Sequence, residues 1–512
     1  MQFNILKKIS LPLLLSGMVL GTGCNKFLEE NDKSNLTPDV YYTIPEHADA
    51  AIASAYAQTR FIGGGAGIFV QNFQMLEAVT GTMRTETGQN ADLNNLLGLG
   101  FNGDNALINN WWNGLYNVIA QTNLVLERVP GINPMDEAQK KRVLGEAQFL
   151  RAWSYFYLVQ LWGDVPLITK PQTTSSPDFY PTRTSKEEVY NQIVADLTAA
   201  ETSGLPMAVT SGRASMGAVK SLLAKVYLTM AGHPLNKGAS HYALARDKAA
   251  EVINSNSFKL FSNYSDLHDL ATENMDEHIF QIQYLAGVAD NPMQAVLLPN
   301  FKDVSQFGTE IGSIVPTMQF YNSFEAGDQR IVDRVGFFYN SYYDKGNGAL
   351  KNLSAPYIFK HFDVVGHGTA GRAGTGNSGL NWNQIRYADV LLTYAEAQNE
   401  ADGAPNTAAI NALKAIRDRA RLTTPTTFTQ AQFREAVWRE RWHELCYEGI
   451  TWFDMVRLRK AYNPVTNTFQ DFVGYTFPDN SNATLREKHL LFPLPTAEMQ
   501  NNPSLTPNNP GY

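Results

Sequence analysis

Cysteine is nearly absent from this 512-residue chain, which contains only Cys24 and Cys446. Cys446 lies in a run with helical spacing, so the disulfide framework typical of many small exported domains is not expected. Long apolar runs are scarce as well. Outside the N-terminus no stretch reaches the roughly 18 apolar residues of a membrane-spanning helix, so nothing in the mature chain is expected to cross a bilayer.

Clusters of positive charge are also missing. The chain has 41 Lys and Arg residues against 49 Asp and Glu residues, its formal net charge is -8, and the basic residues form no blocks. Proteins that bind nucleic acid carry a strongly basic surface. The composition therefore argues against a nucleic-acid partner.

Sequence motifs of enzymes are incomplete or absent. The string HELCY at 443–447 begins like the zinc-protease motif H-E-x-x-H, but Tyr447 stands where the second histidine is required. The string GHGTAG at 366–371 fits G-x-G-x-x-G, but no helix pattern follows it to receive a phosphate, so we interpret it as a loop. No G-x-S-x-G elbow, Walker A motif or paired-cysteine site occurs. We predict no metal, no cofactor and no enzymatic activity.

The charged residues around HELCY have a simpler interpretation. Glu440, Glu444 and Glu448 alternate with Arg439 and Arg441. This spacing permits ion pairs between residues four apart on a helix. We expect a charged helix face with such pairs along it.

The N-terminus has the order of a secretory signal. Lys7 and Lys8 precede an apolar segment, and small residues then lead to Cys24. A cysteine at this point resembles a bacterial lipobox, whose thiol is acylated and becomes the new N-terminus; the alternative is an ordinary cleaved signal with an incidental cysteine. The chain is thereby divided into a signal peptide at 1–23, the lipidated Cys24 with a polar tether at 24–45, and a single domain at 46–512.

Helical periodicity recurs in pairs along this domain. The two later pairs carry small residues where helices must approach closely, as in tetratricopeptide-type hairpins. The predicted pairs are 46–61 with 106–129, 213–232 with 241–255, and 385–403 with 406–422. The small residues are Ala218, Ala224, Ala249, Ala388, Ala395 and Ala412. The predicted fold class is mainly α, a tetratricopeptide-like helical-hairpin scaffold at about 46–61, 106–256 and 383–460.

The longest predicted helix, at 134–162, is expected to pack beside the first pair. Asn133 can cap its N-terminus, and Pro134 suits its first position. Trp153 and Trp162 fall outside its main apolar stripe. We therefore expect this helix to be buried on two sides.

Two long segments, at 62–104 and 257–382, show little helical periodicity. They are rich in Gly, Asn and aromatic residues, with short β-like runs at 278–284 and 356–365. Irregular segments on a rigid scaffold often carry the binding function of a protein. The sequence predicts a large loop-rich ligand-binding region with a few short strands.

Aromatic residues in these irregular segments cannot all be buried in a periodic core. Flat apolar rings beside amide and guanidinium groups suit sugar rings, and they would suit extended peptides equally. The aromatics in question are Phe101, Phe301, Phe307, Tyr342 and Tyr343.

Several blocks of the sequence together resemble the SusD/RagB family of surface nutrient-binding lipoproteins. GEAQFLRAWSYFYLVQLWGDVPLI (145–168) is similar to the signature helix of that family, and IRYADVLLTYAEAQNE (385–400) with LKAIRDRARL (413–422) resembles a later pair. RERWHELCYEGITWFDMVR (439–457) and the C-terminal LLFPLPTAEMQNNPSLTPNNPGY (490–512) complete the pattern. With the signal at Cys24, these blocks occur in family order over nearly the whole chain.

The resemblance implies four tetratricopeptide-like hairpins and an irregular ligand-binding region. It also implies a location at the outer membrane, where lipid on Cys24 anchors the protein. The implied partner is a SusC-type TonB-dependent barrel, on which the protein sits as a lid and captures oligosaccharides for import. Acidic residues after Cys24 resemble a surface-export signal; they are Glu29, Glu30 and Asp32.

The resemblance further implies that ligand contacts come from the loops at 62–104 and 284–310. No Trp occurs in either loop, which departs from the starch-binding prototype of the family. The nearest equivalents of the family's contact residues are Arg84, Asn90, Phe101, Asn102, Phe301 and Phe307.

Three alternatives remain open. The same architecture could bind and import peptides, as in the RagB branch. A helical-repeat adaptor would use its loops only to hold other proteins. A surface hydrolase would rely on a carboxylate pair that is recognised only in three dimensions.

Overall fold

The computed structural model describes residues 41–65, 70–300, 310–344, 347–363 and 378–512. Cys24, the predicted signal peptide, the tether up to residue 40 and the GHGTAG string lie outside these residues. The structure is about 49% helical with few short strands, which confirms the predicted fold class. No helix within the described part of the chain is long and apolar enough to cross a membrane.

The α-helices, in chain order, are α1 (Pro45–Gln58), α2 (Gln74–Ala78), α3 (Ala91–Leu97), α4 (Ala106–Arg128), α5 (Glu137–Trp162), α6 (Lys186–Glu201), α7 (Met216–Ala231), α8 (Ala239–Asn254), α9 (Gln294–Leu297), α10 (Met318–Tyr321), α11 (Tyr387–Asp402), α12 (Thr407–Arg419), α13 (Gln430–Glu444), α14 (Thr451–Leu458) and α15 (Thr496–Asn501). The strands are β1 (Met83–Arg84), β2 (His278–Ile282), β3 (Val315–Pro316), β4 (Phe338–Tyr343), β5 (Leu350–Ile358), β6 (Trp382–Arg386), β7 (Lys460–Asn463), β8 (Thr468–Asp471), β9 (Thr476–Phe477) and β10 (Asn480–Thr484). They pair antiparallel as β1–β3, β2–β6, β4–β5, β7–β8 and β9–β10.

The long helices stack in one continuous array, in the order α1, α4, α5, α6, α7, α8, α11 and α12. This order confirms the three predicted pairs and adds α5 with α6. The small residues of the two later pairs are buried at the helix contacts, which lets the helices approach closely. The array is discontinuous in sequence, because the irregular segments are inserted between its helices.

Helix α5 is buried on two sides, as its aromatic residues predict. The Trp153 indole donates a hydrogen bond to Gln384 at 3.3 Å, and the Trp162 indole donates one to the carbonyl of Pro493 at 2.9 Å. The predicted start of the helix is wrong. Asp136 is the N-cap and accepts a hydrogen bond from the Gln139 amide at 2.8 Å, so the helix begins three residues after Pro134.

The two irregular segments contain more regular structure than their sequences suggest. Segment 62–104 includes α2 and α3, which are too short to show a helical period. Segment 257–382 forms a small hydrophobic core of its own, separate from the main core. Its members are Leu298, Val315, Tyr339, Tyr342, Tyr357, Phe359 and Phe362.

The charged face predicted on α13 is wrong, because its carboxylates are buried. Glu444 is fully buried and accepts from Arg419 at 2.7 Å and from Arg386 at 3.2 Å. Glu440 accepts from Arg330 at 2.6 Å. The partners come from other elements rather than from the same helix.

These contacts belong to one larger set of buried charges, called here the Glu444 network. It joins the helical array to the irregular region, because some members lie on α12 and α13 and others lie in segment 257–382. The carboxylates are Glu277, Asp328, Glu440, Glu444 and Glu448, and the cations are Arg330, Lys360, Arg386, Arg417 and Arg419.

The network makes folding sensitive to acid. Burial alone would raise the pKa of Glu448, but Arg386 and Lys360 outweigh burial and lower it to about 2. An unfolded glutamate has a pKa of about 4.3. The stability that Glu448 contributes is therefore present above that pH and is lost as the pH falls toward 2.

Substitution of Glu444 by Gln tests the network. The change leaves buried cations without compensation, and we expect it to lower the free energy of unfolding by about 3–5 kcal/mol. Denaturation by urea at pH 7 measures the loss. Asp418→Asn is the matched control, because its pair with Lys414 is exposed and contributes less than about 1 kcal/mol. Equal losses in the two variants would contradict a stabilising role for the network.

Candidate functional site

The two irregular segments meet at Glu86, two residues after β1. The Glu86 amide donates to the carbonyl of Gly312 at 2.8 Å. Its carboxylate accepts hydrogen bonds from the backbone amide of Asn300 at 3.0 Å and from the Tyr357 hydroxyl at 2.5 Å. This Glu86 junction therefore ties segment 62–104 to the loop at 284–310 and to the β4–β5 hairpin.

Gly312 is required by the close approach at the junction. Its φ is 62°, in the left-handed region, and a Cβ there would lie 2.6 Å from the Glu86 carboxylate. A larger residue would push the two loops apart. The junction is thus a built contact between distant segments.

Arg84 presents a partly free guanidinium beside the junction. Its side chain is 33% exposed, and its nearest nitrogen lies 3.9 Å from the Glu86 carboxylate. At this distance the pair is loose, so the guanidinium can still donate hydrogen bonds to a ligand. Burial and the hydrogen bond to Glu86 raise the pKa of Tyr357, which remains a neutral phenol.

Among the predicted ligand residues that the structure describes, Arg84 is the one that lies at the Glu86 junction. Arg84 is joined through Glu86 to Asn300, the residue that directly precedes Phe301. Phe301 and Phe307 themselves lie outside the described residues. Their contact with a ligand stays a prediction.

Phe101 is placed elsewhere, and its predicted role is corrected. Its ring is 2% exposed and packs on Phe492 at 5.1 Å and on Tyr512 at 6.1 Å between centroids. A ring with no free face cannot stack on a ligand. Phe101 belongs to the core beneath the C-terminal segment.

The side-chain oxygens of Asn90 and Asn102 accept hydrogen bonds from nearby backbone amides. Asn90 caps α3 by accepting from the Leu93 amide at 2.9 Å. Asn102 accepts from the Asp104 amide at 3.0 Å and closes a turn. A role for either amide group in binding is not tested by these contacts.

Tyr342 and Tyr343, two of the aromatic residues singled out in the sequence, lie on opposite faces of strand β4. Neighbouring residues of a strand point to opposite faces, so Tyr342 is buried in the small core while Tyr343 is partly exposed. The guanidinium of Arg334 lies 4.8 Å from the centre of the Tyr343 ring. Sequence spacing could not reveal this pair. Besides the guanidinium of Arg84, the pair provides a guanidinium that lies over an aromatic ring.

The predicted loops also meet at a second point. Tyr284 is buried against Gly63, where a Cβ would lie 2.3 Å from the tyrosine hydroxyl. Directly after Tyr284 the chain turns and exposes Leu285 and Val288, which are 59% and 80% exposed. Segments 62–104 and 284–310 thus share one face of the molecule, with an apolar tip beside it.

Glu77 on α2 attaches this face to the scaffold. Its carboxylate is fully buried and accepts from the Gly449 amide at 2.7 Å. Burial raises its pKa to about 7. Among the described residues, no group of three or more His, Cys, Asp and Glu side chains is arranged to hold a metal ion.

Comparison with known proteins gives matches to two family descriptions. Residues 317–512 match the SusD family, and residues 26–228 match a family described as starch-binding and associating with the outer membrane. Between residue 26 and residue 512, the two matches leave only residues 229–316 uncovered.

Two individual relatives match over most of the chain, and a third matches over part of it. A crystal structure of a SusD superfamily protein from Parabacteroides distasonis is 36% identical, with a TM-score of 0.86 over 93% of this chain and 100% of that one. SusD-like protein P2 from Formosa agariphila is 28% identical over 534 residues, or 99% of each chain. Starch-binding protein SusD from Bacteroides thetaiotaomicron is 31% identical over 186 residues, or 36% of this chain and 29% of that protein.

Substitution of Glu77 by Gln tests the buried contact that attaches α2 to the scaffold. An unfolded glutamate loses its proton near pH 4.3, whereas Glu77 keeps it to about pH 7, so its contribution to stability falls as the pH rises between these values. A glutamine side chain at this position would not titrate. We expect the free energy of unfolding of Glu77→Gln, measured relative to that of the natural protein, to increase by about 2 kcal/mol as the pH rises from 5 to 8.

Urea denaturation at several pH values measures this trend. Glu137→Gln is the control, since Glu137 is 74% exposed and its ion pair is with nearby Lys140. The interpretation of Glu77 fails if both variants show the same pH dependence.

Proposed function

The chain belongs to the SusD family, and we propose that it is a glycan-binding lipoprotein of the outer membrane. In this proposal it sits at the cell surface as the lid of a SusC-type TonB-dependent barrel. It captures oligosaccharides and delivers them to the barrel for import. Binding, and not catalysis, is its task.

The observation that carries the proposal is the convergence of the irregular segments on one face. The Glu86 junction holds these segments together, with the guanidinium of Arg84 partly exposed beside it. A guanidinium donates to sugar hydroxyls, and aromatic rings can pack on sugar faces. The proposed contacts are Arg84, Phe301 and Phe307, with Asn90 and Asn102 as further contacts at the edges.

The names of relatives support a sugar ligand. One matching family is described as starch-binding, and the relative from Bacteroides thetaiotaomicron is a starch-binding protein. The same guanidinium and aromatic groups could receive a peptide, which remains the alternative ligand. The adaptor interpretation predicts no saturable small ligand, and the hydrolase interpretation predicts turnover.

The membrane anchor in this proposal is Cys24. Acylation of its thiol would hold the protein at the outer membrane, and the tether would let the domain move over the barrel. The description of the family that matches 26–228 supports an association with this membrane.

Substitution of Arg84 by Ala tests the proposed ligand face. Calorimetric titration against a panel of oligosaccharides and mixed peptides should give saturable sugar binding, and Arg84→Ala should weaken it about tenfold through the loss of a charged hydrogen-bond donor. Arg142→Ala is the control, because Arg142 is exposed on α5. Unchanged sugar affinity in Arg84→Ala would exclude this face, and binding of peptides alone would select the alternative ligand.

Substitution of Cys24 by Ser tests the anchor. The variant should lose incorporation of labelled fatty acid and leave the membrane fraction. Cys446→Ala keeps Cys24 and should retain the label, since the Cys446 thiol is buried in the core. Absence of the label from the natural protein would show that the N-terminal signal is of the ordinary cleaved type, and a label that persists in Cys24→Ser would place the acyl group on another residue.

A further inference from the structure

A groove of about 440 Å³ lies on the helical array, away from the residues of the Glu86 junction. It is formed by α4, α15 and the segment that links α5 to α6. It shares no lining residue with the proposed ligand face, and its volume lies in the range of small-ligand sites. We call it the Tyr180 groove.

Two aromatic rings are exposed along the groove. Phe179 and Tyr180 are 42% and 57% exposed, with ring centroids 5.0 Å apart in an edge-to-face arrangement. Large exposed aromatic side chains are unfavourable in water and commonly mark a binding surface. Both rings lie in the segment that links α5 to α6 and line this concavity.

Hydrogen bonds hold this aromatic segment in place. The Asn502 side chain donates to the carbonyl of Pro181 at 2.8 Å, directly after Tyr180. The Gln172 side chain donates to the carbonyl of Asp178 at 2.9 Å, directly before Phe179. The backbone that carries the two rings is therefore held on both sides, which reduces the ordering entropy that binding would cost.

Free amide groups lie beside the rings. Asn113 and Asn117 are exposed one helical turn apart on α4, and Asn501 is exposed at the end of α15. Within the described residues their side chains make no hydrogen bond to another residue. Each amide offers donors and an acceptor, as sugar hydroxyls require.

The charge of the groove excludes an acidic ligand. Of the residues that line it, all of them described, only Glu498 carries a charge. Its carboxylate accepts a hydrogen bond from Trp112, and burial raises its pKa. With no cation in the groove, nothing would balance a carboxylate or sulfate on the ligand.

We infer that the Tyr180 groove binds a neutral oligosaccharide. The rings of Phe179 and Tyr180 pack on the apolar faces of sugar units, and Asn113, Asn117 and Asn501 bind their hydroxyls. This site goes beyond the proposed function, because it is a second carbohydrate surface on the scaffold. It would hold a long glycan while the ligand face takes one end.

The test is affinity electrophoresis of the full chain in detergent, through gels that contain starch, laminarin or xyloglucan. At least one of these neutral polysaccharides should retard the protein. Tyr180→Ala and Asn117→Ala should each weaken the apparent affinity about tenfold. Tyr180→Trp keeps an aromatic face and should retain binding.

Two comparisons make the outcome decisive. Leu244→Ala removes an exposed apolar side chain from α8 and should migrate like the natural protein. Arg84→Ala should leave the Tyr180-dependent part of the retardation intact, which separates this site from the proposed ligand face. The inference is overturned if no neutral polysaccharide retards the chain, if only acidic polygalacturonate does, or if Tyr180→Ala and Leu244→Ala behave alike.

Discussion

The buried ion pairs around Glu444 are the interaction on which the rest of the structure depends. Charges that are removed from water are costly unless each has a partner, so every member of the network is held by the others. Arg386 at the end of β6 meets carboxylates from α13 and from the irregular region at once. The helical array and the loops are thereby fixed relative to each other, and the shape of the ligand face follows from this constraint.

Local signals explain what the sequence predicts well. The periods of α7 with α8 and of α11 with α12 are regular, and their small residues identify the helix contacts. The start of α5 is missed because Asn133 and Asp136 are both good capping residues, and the geometry of the chain selects the second. Short helices such as α3 give too few residues for a period to be recognised.

The features that sequence patterns fail to predict depend on contacts between residues far apart in the chain. Alternating Glu and Arg on α13 are typical of an exposed face, but Arg330 lies 110 residues before its partner Glu440. Phe101 is aromatic and lies in a loop, so only the C-terminal Phe492 and Tyr512 reveal that it is core. The Glu86–Tyr357 contact spans 271 residues, which no local pattern can indicate.

The order in which the network is assembled has a consequence for biosynthesis. Arg330, Arg386 and Arg419 are translated before the carboxylates of Glu440 and Glu444. Until those last residues emerge, Glu277 and Asp328 are the carboxylates of the network available to the buried arginines, so the interior would carry excess positive charge and a compact intermediate would be disfavoured. A nascent chain that ends before residue 440 lacks Glu440, Glu444 and Glu448, so the complete network can form only near the end of translation.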